Sequence, residues 1–117
     1  MIKVTLDNYD EIRYLKLLVQ DHAGSDVIGH DLVCASASIL LYTFAEIVED
    51  LERRGELVSS LVDVKEGDSL ITCQCITDRG YAEAVNAFNV IRTGYKLLAE
   101  NCPQYVELNT VGKAVTA

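Results

Sequence analysis

Apolar and polar residues alternate in the opening segment, Ile2–Leu6, whose sequence is IKVTL. This period of two predicts a strand with one buried face, and Asp7-Asn8 predicts a turn after it. Residues 12 to 19 are rich in β-branched, aromatic and leucine side chains but alternate poorly. That composition fits a strand covered on both faces or a short helix, and we interpret it as a second strand.

A long helical pattern follows. The periodicity is lost between Gly24 and Gly29, and apolar residues then recur at helical intervals over residues 32 to 51. Asp31 precedes them in the position of an N-cap, where its carboxylate can accept an unpaired backbone N–H. Residues 53 to 55, Arg-Arg-Gly, are typical of a helix end. The first helix is therefore predicted at about residues 32 to 54.

The middle of the chain has the pattern of a hairpin. Residues 58 to 64 and 69 to 76 have the composition of strands and flank the loop Lys-Glu-Gly-Asp at residues 65 to 68. A glycine in such a short polar loop is typical of a tight turn between antiparallel strands. Two more strands are predicted here.

The last third of the chain predicts a helix and a short strand. Thr77 or Asp78 can cap the helix, whose apolar positions recur at helical intervals until Asn101 and Pro103 end it. Residues 105 to 110 then predict a final strand. The order ββαββαβ predicts an α+β fold, a small mainly antiparallel sheet with two helices packed on one face, because each helix has a single apolar stripe.

Composition points to one small globular domain. The 117 residues contain no repeat or Gly/Ser linker, so a single domain over residues 1–117 is predicted. Charges interrupt every apolar run before the ~18 to 20 residues of a membrane span, and the opening segment lacks a secretory pattern. A soluble, cytoplasmic protein is expected.

The net charge of −8 argues against nucleic acid or anionic membrane as a partner and favours a basic one.

Cysteine supplies the candidate chemistry. Without a secretion signal, Cys34, Cys73, Cys75 and Cys102 are interpreted as thiols. With Asp31 as cap, Cys34 becomes the third helical residue, where unpaired N–H groups and the helix dipole favour a thiolate. The same N–H groups can stabilise the oxyanion of an acyl-transfer intermediate.

A histidine precedes Cys34 across a loop. His22 follows the second predicted strand, so its imidazole can reach the thiol at the start of the helix. The residues alone leave ordinary alternatives open, since cysteine is often simply buried and a histidine near a loop is often a surface group.

The segment DHAGSDVIGHDLVCASAS, residues 21 to 38, resembles the ribosomal-processing cysteine protease family known as Prp. The family pattern is approximately GHAG, a short variable loop, and then G-x-D-I-V-C-A-A-x-S. The positions that match in register are His22, Ala23, Gly24, Gly29, Asp31, Val33, Cys34, Ala35 and Ser38. Chain length and predicted element order also agree with that family, so the resemblance covers essentially the whole chain.

The resemblance implies roles for four residues. Cys34 would be the nucleophile, and His22 the general base that later protonates the leaving amine. Asp31 and Ser38 would support them, Ser38 from one helical turn beyond Cys34. The plainer alternatives are that Asp31 only caps the helix and that Ser38 is a small residue at a packed contact.

The loop before the helix is a candidate substrate-binding segment. Gly24, Ser25 and Gly29 belong to a stretch with few core-forming residues, which can close over a peptide or be a simple connection. The chain departs from the family here. Asp21 replaces the glycine before the histidine, and Ser25–Ile28 replace the usual aromatic and acidic residues. If that glycine needs a positive φ or admits the substrate backbone, Asp21 would impose strain or block the approach.

The resemblance also implies a substrate and an assembly. Family members remove a short N-terminal extension from a bacterial large-subunit ribosomal protein, number twenty-seven in the usual count, and relatives trim phage structural proteins. They are homodimers, so a homodimer without a cofactor is expected. An acidic helix face could attract a lysine-rich substrate tail, although a solvated face is as good an explanation. This face comprises Glu46, Glu49, Asp50 and Glu52.

Two other hypotheses stay open. The chain could be a non-catalytic binding module in ribosome or phage assembly, and Asp21 is the feature that favours this. It could instead bind a metal, which we consider a weaker hypothesis because thiols spaced as C-x-C share one face of a strand and are ordinarily core residues. The possible ligands are His22, His30, Asp31 and Cys34, or Cys73 and Cys75.

Overall fold

The computed structural model describes residues 1–21 and 30–112, and the side chains within them other than those of His30, Asp31 and Gly112. These residues form five strands and two helices in the predicted order ββαββαβ. The strands are β1 (Ile2–Tyr9), β2 (Tyr14–Asp21), β3 (Leu57–Asp63), β4 (Asp68–Cys75) and β5 (Val106–Gly112). The helices are α1 (His30–Arg53) and α2 (Asp78–Asn101).

The strands form one sheet in the order β3-β4-β2-β1-β5. The pairs β1–β2, β2–β4 and β3–β4 are antiparallel, whereas β5 pairs with β1 in parallel. The predicted α+β fold with a mainly antiparallel sheet is therefore confirmed. Its middle strand, β2, ends at Asp21, and the cleft described below lies at that end.

Both helices cover one face of the sheet. The core combines the inward residues of the central strands with the apolar stripes of α1 and α2, which meet at Phe44 and Phe88 with ring centroids 5.5 Å apart. Both rings are fully buried. Burial of apolar area of this kind is the main favourable contribution to the fold.

Two local predictions about the first strands were wrong. Asp7-Asn8 is not a turn, because β1 continues through both residues and pairs them with Lys16 and Leu15 of β2. The chain instead reverses through a 3-10 turn at Asp10–Ile12. Cross-strand pairing and burial outweigh the local turn preference of these polar residues.

The second strand is confirmed, but helices cover only one of its faces. Leu15 and Leu17 are fully buried, whereas Lys16 and Leu18 on the opposite face are half-buried. The poor alternation in the sequence arose because Leu18 and Val19 occupy half-buried positions with apolar side chains.

The first helix begins two residues earlier than predicted. Because α1 starts at His30, Asp31 lies in its first turn and the prediction that it is the N-cap was wrong. The cap of α2 agrees with one of the two predicted residues, since the Thr77 hydroxyl accepts a hydrogen bond of 3.0 Å from the Gly80 N–H. Gly55 follows α1 with a φ of 73°, as its predicted role at the helix end requires.

Part of α1, Leu32–Arg53, is long and apolar enough to span a membrane by length and composition alone, with a mean hydropathy of 1.6. This is weak support for a span, because the core helix of a soluble protein passes the same test. Here the stripe that includes Val33, Phe44 and Val48 is buried against the sheet and α2. Because 33% of that window is buried, the place of α1 in the core accounts for part of its high hydropathy.

Candidate active site

A cleft of about 330 Å³ lies between α1, the end of β2 and the β3–β4 hairpin. The carboxylate of Asp21 and the thiol of Cys34 line it together with Ser38 and Tyr42 of α1. The hairpin contributes Val64–Gly67 and Ser69 to the opposite wall. The cleft has the dimensions of a small-ligand or peptide side-chain site.

Cys34 is half-buried and in contact with Asp21. Its Sγ lies 3.7 Å from Asp21 Oδ2, within hydrogen-bonding range for sulfur, so the thiol donates to the carboxylate. The thiol therefore lies at the surface of the cleft, where a small reagent or a peptide carbonyl can approach it.

Cys34 is the fifth residue of α1, and the prediction that it is the third was wrong. The unpaired N–H groups of a helix belong to its first turn, and the dipole effect fades beyond that turn. A helical side chain does lean toward the N-terminus, so Sγ covers the preceding turn. The helix start therefore favours a thiolate less than the sequence suggested.

Asp21 is the last residue of β2 and has ordinary strand geometry. It pairs with Ile2 in the ladder, and its N–H donates a hydrogen bond of 3.0 Å to the Gly67 carbonyl. Among the non-glycine residues that the structure describes, only Arg13 has a positive φ. The strain expected of an aspartate in place of the family's glycine is therefore absent, and the change instead places a carboxylate beside the thiol.

The hairpin wall is held by its own turn. Gly67 has a φ of 79°, which glycine adopts without steric cost. Ser69 is buried, and its hydroxyl accepts a hydrogen bond from the Lys65 N–H and donates one to the Lys65 carbonyl, at 3.0 and 2.8 Å. Together with the Asp21–Gly67 bond, these contacts fix the hairpin against the end of β2.

The other predicted site residues are placed as follows. Ser38 is exposed and lines the cleft one turn after Cys34. The prediction that the Gly24–Gly29 loop binds substrate and that His22 contacts Cys34 lies outside the described residues. The side chain of Asp31 is also outside the described part of the structure, so its predicted supporting role stays a prediction.

The sequence analysis missed Tyr42 on the α1 side of the cleft and the hairpin wall opposite it. Tyr42 continues the series Cys34, Ser38 at intervals of four, so helical spacing could have identified it. Lys65 and Glu66 enter the cleft only because β4 pairs with β2, a contact between distant segments that no local pattern reveals.

The remaining cysteines belong to the core. Cys73 and Cys75 are buried on β4, and Cys102 packs against the core from the end of α2. A hydrogen bond between the thiols of Cys73 and Cys75 raises the pKa of Cys73 and lowers the pKa of Cys75. Burial raises the pKa of Cys73 further. No cysteine forms a disulfide, as predicted. Within the described part of the chain, no three His, Cys, Asp or Glu residues are grouped to hold a metal ion.

Solved structures similar to this one cover nearly the whole chain. The SMU.848 protein of Streptococcus mutans is 28% identical, with a TM-score of 0.67, and the match covers 97% of this chain and 96% of that one. The ribosomal processing protease Prp of Staphylococcus aureus, bound to a substrate peptide, is 20% identical with a TM-score of 0.68, and 95% and 100% of the two chains are covered. A second structure of that protease carries a covalently linked product peptide and is 24% identical, with a TM-score of 0.64 and the same coverage.

A search among curated proteins gives no significant match. The family model described as cysteine protease Prp, however, matches residues 1–107. That range includes every described strand and helix except the end of β5, and with them Asp21, Cys34 and the cleft. The chain therefore belongs to the cysteine protease Prp family and is, by that membership, a cysteine protease.

Proposed function

We propose that this protein is an endopeptidase that removes a short N-terminal extension from a bacterial large-subunit ribosomal protein. The observation that carries the proposal is the position of Cys34, whose half-buried Sγ lines a cleft of about 330 Å³ in a chain of the cysteine protease Prp family. A thiol in such a cleft is accessible to an extended peptide and partly shielded from water.

In the proposed reaction Cys34 attacks the scissile carbonyl carbon, and His22 accepts the thiol proton as general base. The tetrahedral intermediate then collapses, the carbon–nitrogen bond breaks, and the imidazolium returns the proton to the departing amine. Water hydrolyses the resulting thioester, which releases the new carboxylate and regenerates the thiol. Asp31 and Ser38 support the pair, and the loop with Gly24, Ser25 and Gly29 holds the peptide.

The substrate proposal rests on the solved relatives and on charge. The S. aureus protease is a ribosomal processing enzyme and has been solved with a substrate peptide and with a covalently linked product. This chain has a net charge of −8, which suits the basic tail of a ribosomal protein. On the acidic face of α1, Glu46 and Glu52 are exposed, while Asp50 is paired with Arg53 and Arg54.

A cytoplasmic homodimer is part of the proposal. The outer face of the helical layer exposes apolar side chains, among them Ile39 at 63% and Leu97 at 54%, on either side of a shallow groove at Gly94. Contiguous exposed apolar surface of this kind is typical of an interface. We expect twice the monomer mass by light scattering at micromolar concentration. A monomer mass would contradict this part of the proposal.

The decisive experiment is incubation of the purified protein with the extended ribosomal protein from the same genome, followed by intact mass. Cys34→Ala removes the proposed nucleophile, and Cys102→Ala is a matched control because that thiol is also half-buried but lies away from the cleft. We expect cleavage by the wild type and Cys102→Ala only. Equal cleavage by Cys34→Ala would overturn the proposal. A structural protein of a phage integrated in the same genome, tested in parallel, distinguishes the two substrate classes.

The contact between Asp21 and Cys34 favours a second candidate, a non-catalytic binding module. A carboxylate beside the thiol opposes formation of the nucleophilic thiolate. In that case the wild type and Cys34→Ala would bind the extended protein equally and release no fragment. His22→Ala separates the candidates further, because it abolishes turnover by an enzyme and leaves binding by a module unchanged.

A further inference from the structure

A serine stands in the apolar row on the core-facing side of β4. Ser69 is 3% exposed, and the buried residues Ile71 and Cys73 follow it on the same side of the strand. A hydroxyl at a buried position costs free energy unless its hydrogen bonds are made. An apolar residue would suit burial alone, so the contacts of the hydroxyl decide what Ser69 contributes.

The hydroxyl of Ser69 makes hydrogen bonds to the backbone of the turn that precedes β4. It accepts one from the Lys65 N–H at 3.0 Å and donates one to the Lys65 carbonyl at 2.8 Å. The same carbonyl accepts the Asp68 N–H at 3.3 Å, which closes a four-residue turn with Gly67 at its third position. Ser69 therefore holds the first residue of this turn through both of its backbone polar groups.

The turn is the wall of the cleft opposite α1. Lys65, Glu66 and Gly67 line the cleft. All three are exposed, so burial contributes little to their position and the backbone hydrogen bonds decide it. At the far end of the turn, the Gly67 carbonyl accepts a hydrogen bond of 3.0 Å from the Asp21 N–H of β2. Ser69 holds the end of the turn that β2 does not hold.

A wall that is fixed before a peptide arrives strengthens binding, because binding then does not have to order it. We propose that Ser69 is a positioning residue for the peptide substrate, whose hydroxyl holds the turn in the shape that an extended peptide meets beside Cys34. The inference rests on the proposed function in that it takes the ligand of the cleft to be a peptide. It assigns Ser69 an effect on peptide binding and none on the chemistry of the thiol.

The experiment compares two reagents that alkylate Cys34 with the same reactive group. Acetyl-tetraalanyl chloromethyl ketone presents a neutral extended peptide to the cleft, whereas chloroacetone presents the reactive group alone. In both reactions the sulfur displaces chloride from the methylene carbon and the thiol proton passes to the buffer. Intact mass follows the adduct, after subtraction of the rate in a Cys34→Ala background. The ratio of the two second-order rate constants measures peptide binding by the cleft, because the chemistry at sulfur is common to both.

In the wild type we expect the peptide reagent to react faster than chloroacetone. Ser69→Ala should lower the ratio roughly fivefold, the factor that corresponds to the typical net contribution of one hydrogen bond, and should leave the chloroacetone rate unchanged. Ser69→Thr keeps the hydroxyl and should keep the wild-type ratio. Thr77→Ala is the matched control and should also keep it, because the hydroxyl it removes accepts a backbone N–H at the same 3.0 Å, but at the start of α2, away from the cleft.

An unchanged ratio in Ser69→Ala would overturn the inference. So would an equal fall in Thr77→Ala, because the effect would then follow from lost stability. A wild type that reacts no faster with the peptide reagent would overturn it as well, since the cleft would then hold no peptide. If Ser69→Ala does not fold, Ser69→Val decides by comparison with Ser69→Thr, because the two side chains share a shape and differ in the hydroxyl.

This inference and the proposed function can fail separately. A ratio that falls in Ser69→Ala, together with no cleavage of the extended ribosomal protein by the wild type, would support the inference and contradict the proposed function. Cleavage of that protein with an unchanged ratio would do the reverse.

Discussion

Tyr95 and Ala37 join the two helices through a buried hydrogen bond. The hydroxyl of Tyr95 on α2 donates to the carbonyl oxygen of Ala37 on α1 at 2.9 Å, and the tyrosine is fully buried. Ala37 lies three residues after Cys34 and lines the same cleft. The second helix, which contributes no residue to the cleft, thereby fixes the part of α1 that carries the thiol.

Replacing Tyr95 by phenylalanine should lower the free energy of unfolding by about 1 kcal/mol, the typical net value of one hydrogen bond. The cost stays small because the Ala37 carbonyl also accepts the regular helical bond. Urea denaturation checks the value, and Tyr42→Phe is the control because that ring is exposed. Equal losses in the two variants would show that the buried bond contributes nothing of its own.

The same tyrosine should make the protein sensitive to alkali. Burial raises the pKa of Tyr95 above its ordinary value of 10.0, so the folded state keeps the phenol protonated where the unfolded chain would ionise it. This contribution to stability is complete below about pH 10 and is lost as the pH rises toward the folded pKa. We expect the urea midpoint of the wild type to fall more steeply between pH 9 and 11 than that of Tyr95→Phe. Parallel curves would contradict the assignment.

Gly67 should be the most sensitive position of the hairpin that forms the cleft wall. An added Cβ would lie 3.7 Å from the Asp21 carbonyl oxygen, an ordinary contact, so the cost of Gly67→Ala comes from its φ of 79°. A left-handed conformation costs a non-glycine residue about 1 to 2 kcal/mol. Chemical denaturation should give that loss, with Glu66→Ala from the same turn close to wild type. A Gly67→Ala protein as stable as the control would mean that the turn relaxes to another form.

Thr77 is expected to stabilise the start of α2. Its hydroxyl accepts the Gly80 N–H at 3.0 Å, and removing such a cap costs about 1 kcal/mol. Thr77→Ala should show this loss in urea denaturation, and Thr77→Ser should retain most of the stability because it keeps the oxygen. If serine is as destabilising as alanine, packing of the threonine methyl rather than capping is responsible.

Local patterns were sufficient for most of the fold. The alternation along β4, the cap at Thr77 and the glycine of the β3–β4 loop each depend on neighbours in sequence, and each agrees with the structure. The prediction of a turn at Asp7-Asn8 was wrong because the place of these residues in β1 depends on pairing with β2. That strand begins at Tyr14, six residues after Asn8.

The candidate site was predictable only in part. Cys34 and Ser38 share a helical face, which spacing alone reveals. The contact between Asp21 and Cys34 depends on where the end of β2 meets the first turns of α1, and that meeting is decided by the packing of the helix on the sheet. The sequence identified Asp21 as a departure from the family pattern, but not that its carboxylate faces the thiol.

The four thiols should divide into two classes by reactivity. Cys73 and Cys75 are 0% and 2% exposed on the core face of β4, whereas Cys34 and Cys102 are half-buried. A core thiol reacts only when the structure opens, and an opening free energy of about 5 kcal/mol slows the reaction by roughly a thousandfold or more. Brief alkylation of the native protein followed by intact mass should therefore show at most two adducts, and denaturant should bring the number to four. A third adduct at the native rate would mean that β4 opens locally, since neither of its thiols can reach solvent otherwise.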